Sequence, residues 1–344
     1  MKYACLLFLF LCLNSIEVSA QKNTATKPKI LIFTTGGTIA SINGKPMIDG
    51  PILVQAVPEL TNYAEIEVVE FSKIGSSQMT PANWLELSKK INEVLAKDSS
   101  VTGIIITHGT DTMEETAFFL NLTVKSNKPV ILVGSMRSSN EISADGPANL
   151  LNAVRVAIDK KAIGQGVLVV LNEHIAAARN VFKNHNRNVH TFQSPELGYL
   201  GFVDPDKVVF YQKVLHPHTD QTDFDIRSLT TLPKVVLVQD YTGFDATILD
   251  YLFNQHIEGL VVQTFAGGRA SAGVRKGLQN ATNSGIPVII ASGVPNGRII
   301  GTSPYDFPAI FSNDFRGNKA RILLMLCLVE GMDMEGIKTA FEMY

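Results

Sequence analysis

Cysteine is scarce in this chain of 344 residues: Cys5, Cys12 and Cys327 are all it has. The first two lie in an apolar N-terminal run. Loss of that run would leave one thiol, which excludes internal disulfides and makes the fold rest on its own core. An excess of either charge is missing too. The chain has 30 basic and 32 acidic residues and a formal net charge of -2. That balance gives no electrostatic footprint for nucleic acid or an anionic membrane surface. Metal-binding spacing is absent: His185, His190, His216 and His218 have neither an H-E-x-x-H pattern nor a companion cysteine set. There is no G-x-G-x-x-G dinucleotide fingerprint, no Walker phosphate loop and no G-x-S-x-G nucleophile elbow. Heptads, short repeats and low-complexity tracts are missing as well. What is present is globular composition, 45% hydrophobic and 18% charged, enough for one large core or two modest ones.

Residues 1–20, MKYACLLFLFLCLNSIEVSA, carry a lysine at position 2 and continue into a short apolar stretch. Val18-Ser19-Ala20 places small residues where a signal peptidase cuts. The stretch is too short to span a bilayer comfortably. It reads as a cleaved signal peptide with Gln21 as the first mature residue, and so as an exported protein, periplasmic or secreted, with no membrane attachment after cleavage. A membrane anchor and lipid processing at Cys12 are the competing readings; Ser19-Ala20 offers the better cut. Cys327 stands in the apolar run ILLMLCLV at 322–329 and reads as a buried thiol. Asn121 and Asn280 each head a glycosylation sequon, which has meaning only in a eukaryotic secretory host.

Apolar runs alternate with helical patterns along the chain. Strands are expected at 29–34, 66–71, 101–107, 130–134 and 166–171. Helices are expected from Thr80-Pro81, an N-cap followed by proline at the first helical position, to Lys97, and at 112–124 and 146–160. The pattern weakens over 202–232, then resumes with strands at 235–239, 259–264 and 287–291 and helices at 246–253, 271–283, 319–329 and 334–343. Runs that are apolar throughout point to strands covered on both faces. The expected architecture is α/β: two α/β domains with mostly parallel sheets, a larger one at 21–212 and a smaller one at 233–344. The polar segment 213–232 reads as a linker, or alternatively as a long loop within one domain.

In such sheets ligands sit beyond the carboxyl ends of the strands, and polar, glycine-rich segments follow several of them here. TTGGTIA at 34–40 closes the first strand, with two glycines allowing a tight turn and the Thr38 hydroxyl facing the crevice. An ordinary strand-to-loop turn explains the same residues equally well. THGTDT at 107–112 gathers hydroxyls and a carboxylate at the start of a helix, where backbone amides suit a ligand carboxylate. Asp111 and its neighbours are equally good capping residues. His108 ends a buried strand and reads as structural rather than as a base. Lys183, beyond the fifth strand, could accept a proton from a hydroxyl if kept neutral; position alone favours a solvated lysine.

TGGTIA at 35–40 and HGTDTMEET at 108–116, with KPVILVGSMR at 128–137 and SADGP at 143–147, closely resemble the bacterial-type L-asparaginase/glutaminase family, in its exported, type II form. Further similarity at 166–171 and 319–328 extends it over nearly the whole mature chain. The resemblance implies Thr38 as nucleophile, and Thr110, Asp111 and Lys183 as the set that activates the reaction. It implies that Ser76 holds the substrate α-carboxylate, that Asp111 meets the α-amino group, and that Ser135 lies near the scissile amide. The implied activity is that of an L-asparaginase, converting L-asparagine to L-aspartate and ammonia through an acyl-enzyme. No cofactor is implied, and the implied assembly is a homotetramer built from dimers. The chain departs from the family in three places. Segment 41–49 is short and lacks the family's tyrosine. Segment 265–270, FAGGRA, lacks the asparagine lent to a neighbouring subunit. No glutamate occurs between Ser292 and Ala309, where Tyr305 and Asp306 stand instead. These departures keep two alternatives in view: mixed action on L-glutamine and L-asparagine, and a homologue that binds an amino acid without turning it over.

Overall fold

The computed structural model describes residues 26–42, 47–300 and 304–344. The run read as a signal peptide, with Cys5 and Cys12, lies outside the described residues, as do 43–46 of the segment 41–49.

The first domain is built on an eight-stranded sheet. Strands β1 (Lys29–Gly36), β2 (Glu65–Ile74), β3 (Val101–Thr107), β4 (Val130–Val133) and β5 (Val167–Leu171) run parallel in the order β5-β4-β3-β1-β2. Two short helices, α1 (Gly50–Gln55) and α2 (Leu60–Tyr63), lie between β1 and β2. Three longer ones follow: α3 (Pro81–Lys97), α4 (Met113–Thr123) and α5 (Gly146–Ala157). Alternate residues of each parallel strand enter opposite cores. Ile30, Ile32, Ile105 and Ile131 pack with Leu150 and Val154 of α5. Leu31, Phe33, Ile104 and Ile106 pack with Leu87 and Ile91 of α3 and Leu120 of α4. A strand wanted by both cores has no polar position to spare, hence the continuous apolar runs. The α3 start is as expected: Thr80 accepts from the Asn83 N–H, and the Asn83 side chain accepts from the Thr80 N–H. Helix α5 stops at Ala157, short of the expected 160, because Asp159 caps a new 3-10 turn at Lys160–Ala162.

Past β5 the chain reverses, a change absent from the sequence-based expectation. Strand β6 (His174–Ala177) pairs antiparallel with β5. A separate ribbon of β7 (Phe182–Lys183) and β8 (Phe192–Gln193) follows, and β9 (Gly201–Val203) and β10 (Val208–Phe210) then extend the large sheet antiparallel beyond β6. The turn between β5 and β6 is Asn172-Glu173, with φ of 48° and 65°. Two positive φ values suit a tight hairpin, but glutamate is not a residue that announces one. The connection from β10 to the next strand carries a 3-10 turn, Thr219–Gln221, and the Thr222 hydroxyl donates to the Leu122 carbonyl at the end of α4.

The second domain is a four-stranded parallel sheet in sequence order, β11 (Val235–Gln239), β12 (Gly259–Thr264), β13 (Val288–Ser292) and β14 (Ile310–Phe311). Helices α6 (Thr247–Phe253) and α7 (Ala272–Asn283) cover one face, with Leu249 and Leu278 against Leu260 and Ile290. On the other face α8 (Gly317–Val329) packs against Val261 and Ile289, with α9 (Met334–Met343) beside it. The same core takes in Trp84 of α3 and Phe118 and Phe119 of α4, so one apolar cluster joins the two domains. At its edge Lys319 is 3% exposed, and its ammonium donates to the carbonyls of Ala178, Arg179 and Val181 at 2.9, 2.8 and 2.7 Å. Burial pushes this ammonium down to about 7. The three carbonyls oppose that, since a neutral amine has only two N–H groups to give. No described helix is long and apolar enough to cross a membrane.

Two residue-level expectations resolve here. Asn121 is no glycan acceptor: it is buried and accepts the Val167 N–H at 2.9 Å, while Asn280 lies exposed on α7. Cys327 is wholly buried in the shared core, and burial pushes its thiol up to about 12. A thiolate is the reactive form, so none is present near neutrality. A chain starting at Gln21 is expected to leave a thiol-reactive disulfide reagent untouched at about pH 8 and to titrate one thiol after unfolding. Stoichiometric reaction of the native protein would contradict this burial.

Candidate active site

The strand order puts the site where it is. From β1 the chain goes to β2 on one side, then crosses back to β3 on the other. The loops leaving β1 and β3 therefore diverge from neighbouring strands, the arrangement that opens a crevice in a parallel sheet.

Glycine brings these loops into backbone contact. Gly36 and Gly37 have φ of 107° and 84°. A Cβ on Gly37 would lie 2.4 Å from the Cα of Gly109, which no side chain tolerates. Thr38 is the next residue after this contact. It is partly exposed and opens a 3-10 turn whose next residues, Ile39 and Ala40, are buried. Gly109 gives equally close access to a third loop: its Cβ would lie 2.7 Å from Ser76 Oγ. Ser76 Oγ accepts the Asp111 N–H at 3.1 Å, and the Thr112 hydroxyl donates to the Ser76 carbonyl at 2.8 Å. Gly134, at the end of β4, lies against the His108 carbonyl and the Thr110 methyl group. Ser135 follows it, 1% exposed, its hydroxyl donating to the Arg137 carbonyl at 2.8 Å.

Lys183 closes the group. Its ammonium donates to Thr110 Oγ1 at 2.9 Å and to Asp111 Oδ1 at 2.6 Å. The Lys183 side chain is 18% exposed and that of Asp111 65%. The solvated lysine that position alone favoured is thus corrected: the turn after β6 aims the side chain back across the strand ends. Asp111 does not cap α4: the N-cap residue is Thr112, and Asp111 Oδ1 meets Lys183. His108 is wholly buried between the Gly109 carbonyl at Nδ1 and the Thr116 hydroxyl at Nε2, and burial pushes it down to about 4. It stays neutral and structural.

Thr38, Thr110, Asp111, Ser76 and Ser135 all come from segments leaving the carboxyl ends of the parallel strands, and Lys183 reaches Thr110 and Asp111 from β7. Glu114 is missing from the sequence-based set, although it belongs beside it: its carboxylate accepts the Lys183 backbone N–H at 2.6 Å. Its place in an acidic helix start gave no signal beyond favourable alignment with the helix dipole. In the second domain the Tyr305 hydroxyl donates to the Gly268 carbonyl at 2.6 Å, and Asp306 pairs with Arg275 at 3.3 Å, both within the same domain. Among the described residues no cluster of three or more His, Cys, Asp or Glu side chains could hold a metal ion.

Comparison with known proteins identifies the family. The family described as "Asparaginase, N-terminal" matches residues 29–216, and "Glutaminase/Asparaginase C-terminal domain" matches 234–341. The chain belongs to the asparaginase family. It is 42% identical to the probable periplasmic L-asparaginase of Haemophilus influenzae over 335 residues, 93% of this chain and 94% of that one. It is 38% identical to L-asparaginase 2 of Escherichia coli over 330 residues, 92% and 93% of the two chains. Among solved structures, a probable cytoplasmic L-asparaginase from Campylobacter jejuni superposes with a TM-score of 0.88 at 41% identity, covering 92% of this chain and all of that one.

In this member of the asparaginase family the contact of Gly37 with Gly109 is the tightest constraint on the site. Gly37→Ala is expected to lower stability by about 1–3 kcal/mol through the left-handed backbone alone, with the steric overlap adding to it. A urea titration with an unchanged midpoint would show that the two loops are not in contact.

Proposed function

We propose that the chain is an L-asparaginase in which Thr38 attacks the side-chain amide of L-asparagine, forming a β-aspartyl ester that water then hydrolyses. The observation that carries this is the convergence of two threonine loops at one point, with Lys183 bridging Thr110 and Asp111. As Thr38 Oγ bonds to the amide carbon it must lose a proton, and the departing nitrogen must gain one. Lys183 donates to the Thr110 oxygen, which directs the Thr110 proton away from the lysine and into the crevice. Thr110 is therefore the hydroxyl suited to carry the proton from Thr38 to the leaving group, with Lys183 stabilising the oxygen as charge develops.

Substrate recognition follows from what each group has left to offer. Ser76 Oγ accepts from the Asp111 amide, so its own O–H remains free for an α-carboxylate. Asp111 gives one oxygen to Lys183 and is otherwise exposed, leaving the second for an α-amino group. Ser135 lies beside the Thr110 loop, near where the scissile amide would sit. These groups fix the amino-acid end, and side-chain length is judged at the far end. There the family's second-domain asparagine and glutamate are lacking here. One methylene is worth only about 1–3 kcal/mol of discrimination, so measurable glutaminase activity accompanies a preference for asparagine.

Export, assembly and domain limits belong to the same reading. Residues 1–20 support a type II, exported enzyme, periplasmic or secreted, beginning at Gln21. The relatives named above carry both periplasmic and cytoplasmic designations, so this rests on the leader alone. A homotetramer built from dimers would bring a neighbour's second domain over the Thr38 crevice. We place the domains at 21–212 and 233–344 with 213–232 as linker.

Thr38→Ala, Thr110→Val and Lys183→Met are each expected to lower kcat for L-asparagine by about 10²–10⁴-fold, with unchanged circular dichroism. An ammonia-release assay of the wild type on both amides should favour asparagine. Faster release from glutamine would overturn the substrate assignment. Aspartate binding by calorimetry, with no ammonia released from either amide, would make the chain a binding protein instead.

A further inference from the structure

Lys183 sits on a two-residue strand, β7, whose only ladder partner among the described strands is β8. So short a ribbon does not by itself fix a side chain to a fraction of an ångström. Other contacts hold it, and they lead through the first domain's Glu114 to the second domain. The Lys183 N–H donates to Glu114 Oε2 at 2.6 Å, and the other oxygen of that carboxylate accepts from Asn318 Nδ2 at 2.5 Å. Glu114 is 6% exposed, so water does not serve it in place of these donors. Asn318 lies in the first turn of α8. The next residue, Lys319, has its ammonium on the carbonyls of Ala178, Arg179 and Val181, the residues leading into β7. Arg179 also forms a two-pronged pair with Asp314, at 2.7 and 2.9 Å, just ahead of α8. The start of α8 is thus pinned to the 178–183 segment from several directions, which makes it a fixed reference for that backbone.

We propose that Asn318 and Glu114 are positioning residues for amide hydrolysis: Asn318, in the second domain, orients the Glu114 carboxylate, which holds the Lys183 backbone where its side chain meets Thr110. The proposal rests on the reading that Lys183 acts through Thr110. Neither residue touches the substrate; each acts through Lys183. Because Ser76 makes no contact with Lys183, and Asp111 keeps a second, exposed oxygen for the amino group, the predicted effect falls on turnover more than on binding.

The chemistry of this relay provides its own test. Both partners of Glu114 are donors. Glu114→Gln keeps the shape but sets an amide NH₂ against one of them. Adding Asn318→Asp reverses one hydrogen bond and mends that clash, while it also replaces the amide that hydrogen-bonds Glu115 with a carboxylate. The amide oxygen then accepts the Lys183 N–H, and the amide NH₂ donates to the introduced carboxylate. Net charge is unchanged, and the second carboxylate oxygen still accepts the Lys319 N–H, as Asn318 Oδ1 does at 2.9 Å. Glu114→Gln is expected to lower kcat for L-asparagine about 10–100-fold, with KM within about threefold of wild type. The double variant is expected to recover kcat to within about fivefold of wild type. Folding is followed by circular dichroism. If Glu114→Gln does not fold, Asn318→Ala carries the comparison, with kcat down about 3–10-fold at constant KM.

A folded single variant with wild-type kcat would overturn the proposal. So would a loss that falls on KM instead of kcat. Lys183→Met, assayed alongside, separates this from the underlying reading: if it is fully active, the role of Lys183 fails whatever residues 114 and 318 do.

Discussion

A single ammonium, that of Lys183, ties β7 to the loop after β3 by touching both the Thr110 hydroxyl and the Asp111 carboxylate. The two partners are adjacent in sequence, while the lysine comes from more than seventy residues away. Most of the first domain serves to make that contact hold. The reversal of strand order between β1 and β3 opens the crevice. Gly37 and Gly109 let two loops touch at backbone distance. The hairpin at Asn172-Glu173 sends β6 back along β5, and the turn after β6 then reverses the chain again and returns Lys183 toward Thr110. In the proposed mechanism, Thr110 without the ammonium is a buried hydroxyl with nothing to stabilise its oxygen as charge develops.

Much of this was legible in the sequence, and the limits have physical causes. Parallel strands buried on both faces have to be apolar throughout, so β1, β3, β4, β5, β12 and β13 announced themselves. The glycine-threonine segments after them showed where a ligand would fit, and the family resemblance supplied their roles. The antiparallel strands β6, β9 and β10 did not show, being short and following a hairpin whose Glu173 lacks the usual turn chemistry. Lys183 could not be told from a surface lysine by position, since its partner is set by tertiary folding. Glu114 and Asn318 lie 204 residues apart, and no local pattern links a helix start in one domain to a helix start in the other.

The two domains are not separate machines. Trp84, Phe118 and Phe119 from the first share one core with the apolar face of α8 in the second. Around that core lie polar ties, Lys319 on three carbonyls and Arg179 on Asp314, which reach the segment carrying Lys183. The second sheet thus has two parts in the account. Within one chain it steadies the lysine. Across a subunit boundary, in the proposed tetramer, its strand ends would close a neighbour's crevice with the unusual segment 265–270.

The claim on which everything turns is that Thr38, and not Thr110, carries the acyl group. Enzyme mixed with saturating L-asparagine and quenched in acid within the first turnover can be digested and its peptides mapped by mass spectrometry, with ammonia measured in the same samples. The account predicts a β-aspartyl ester on the peptide containing Thr38. An ester on the peptide containing Thr110, or a burst of ammonia with no ester on either, would contradict it.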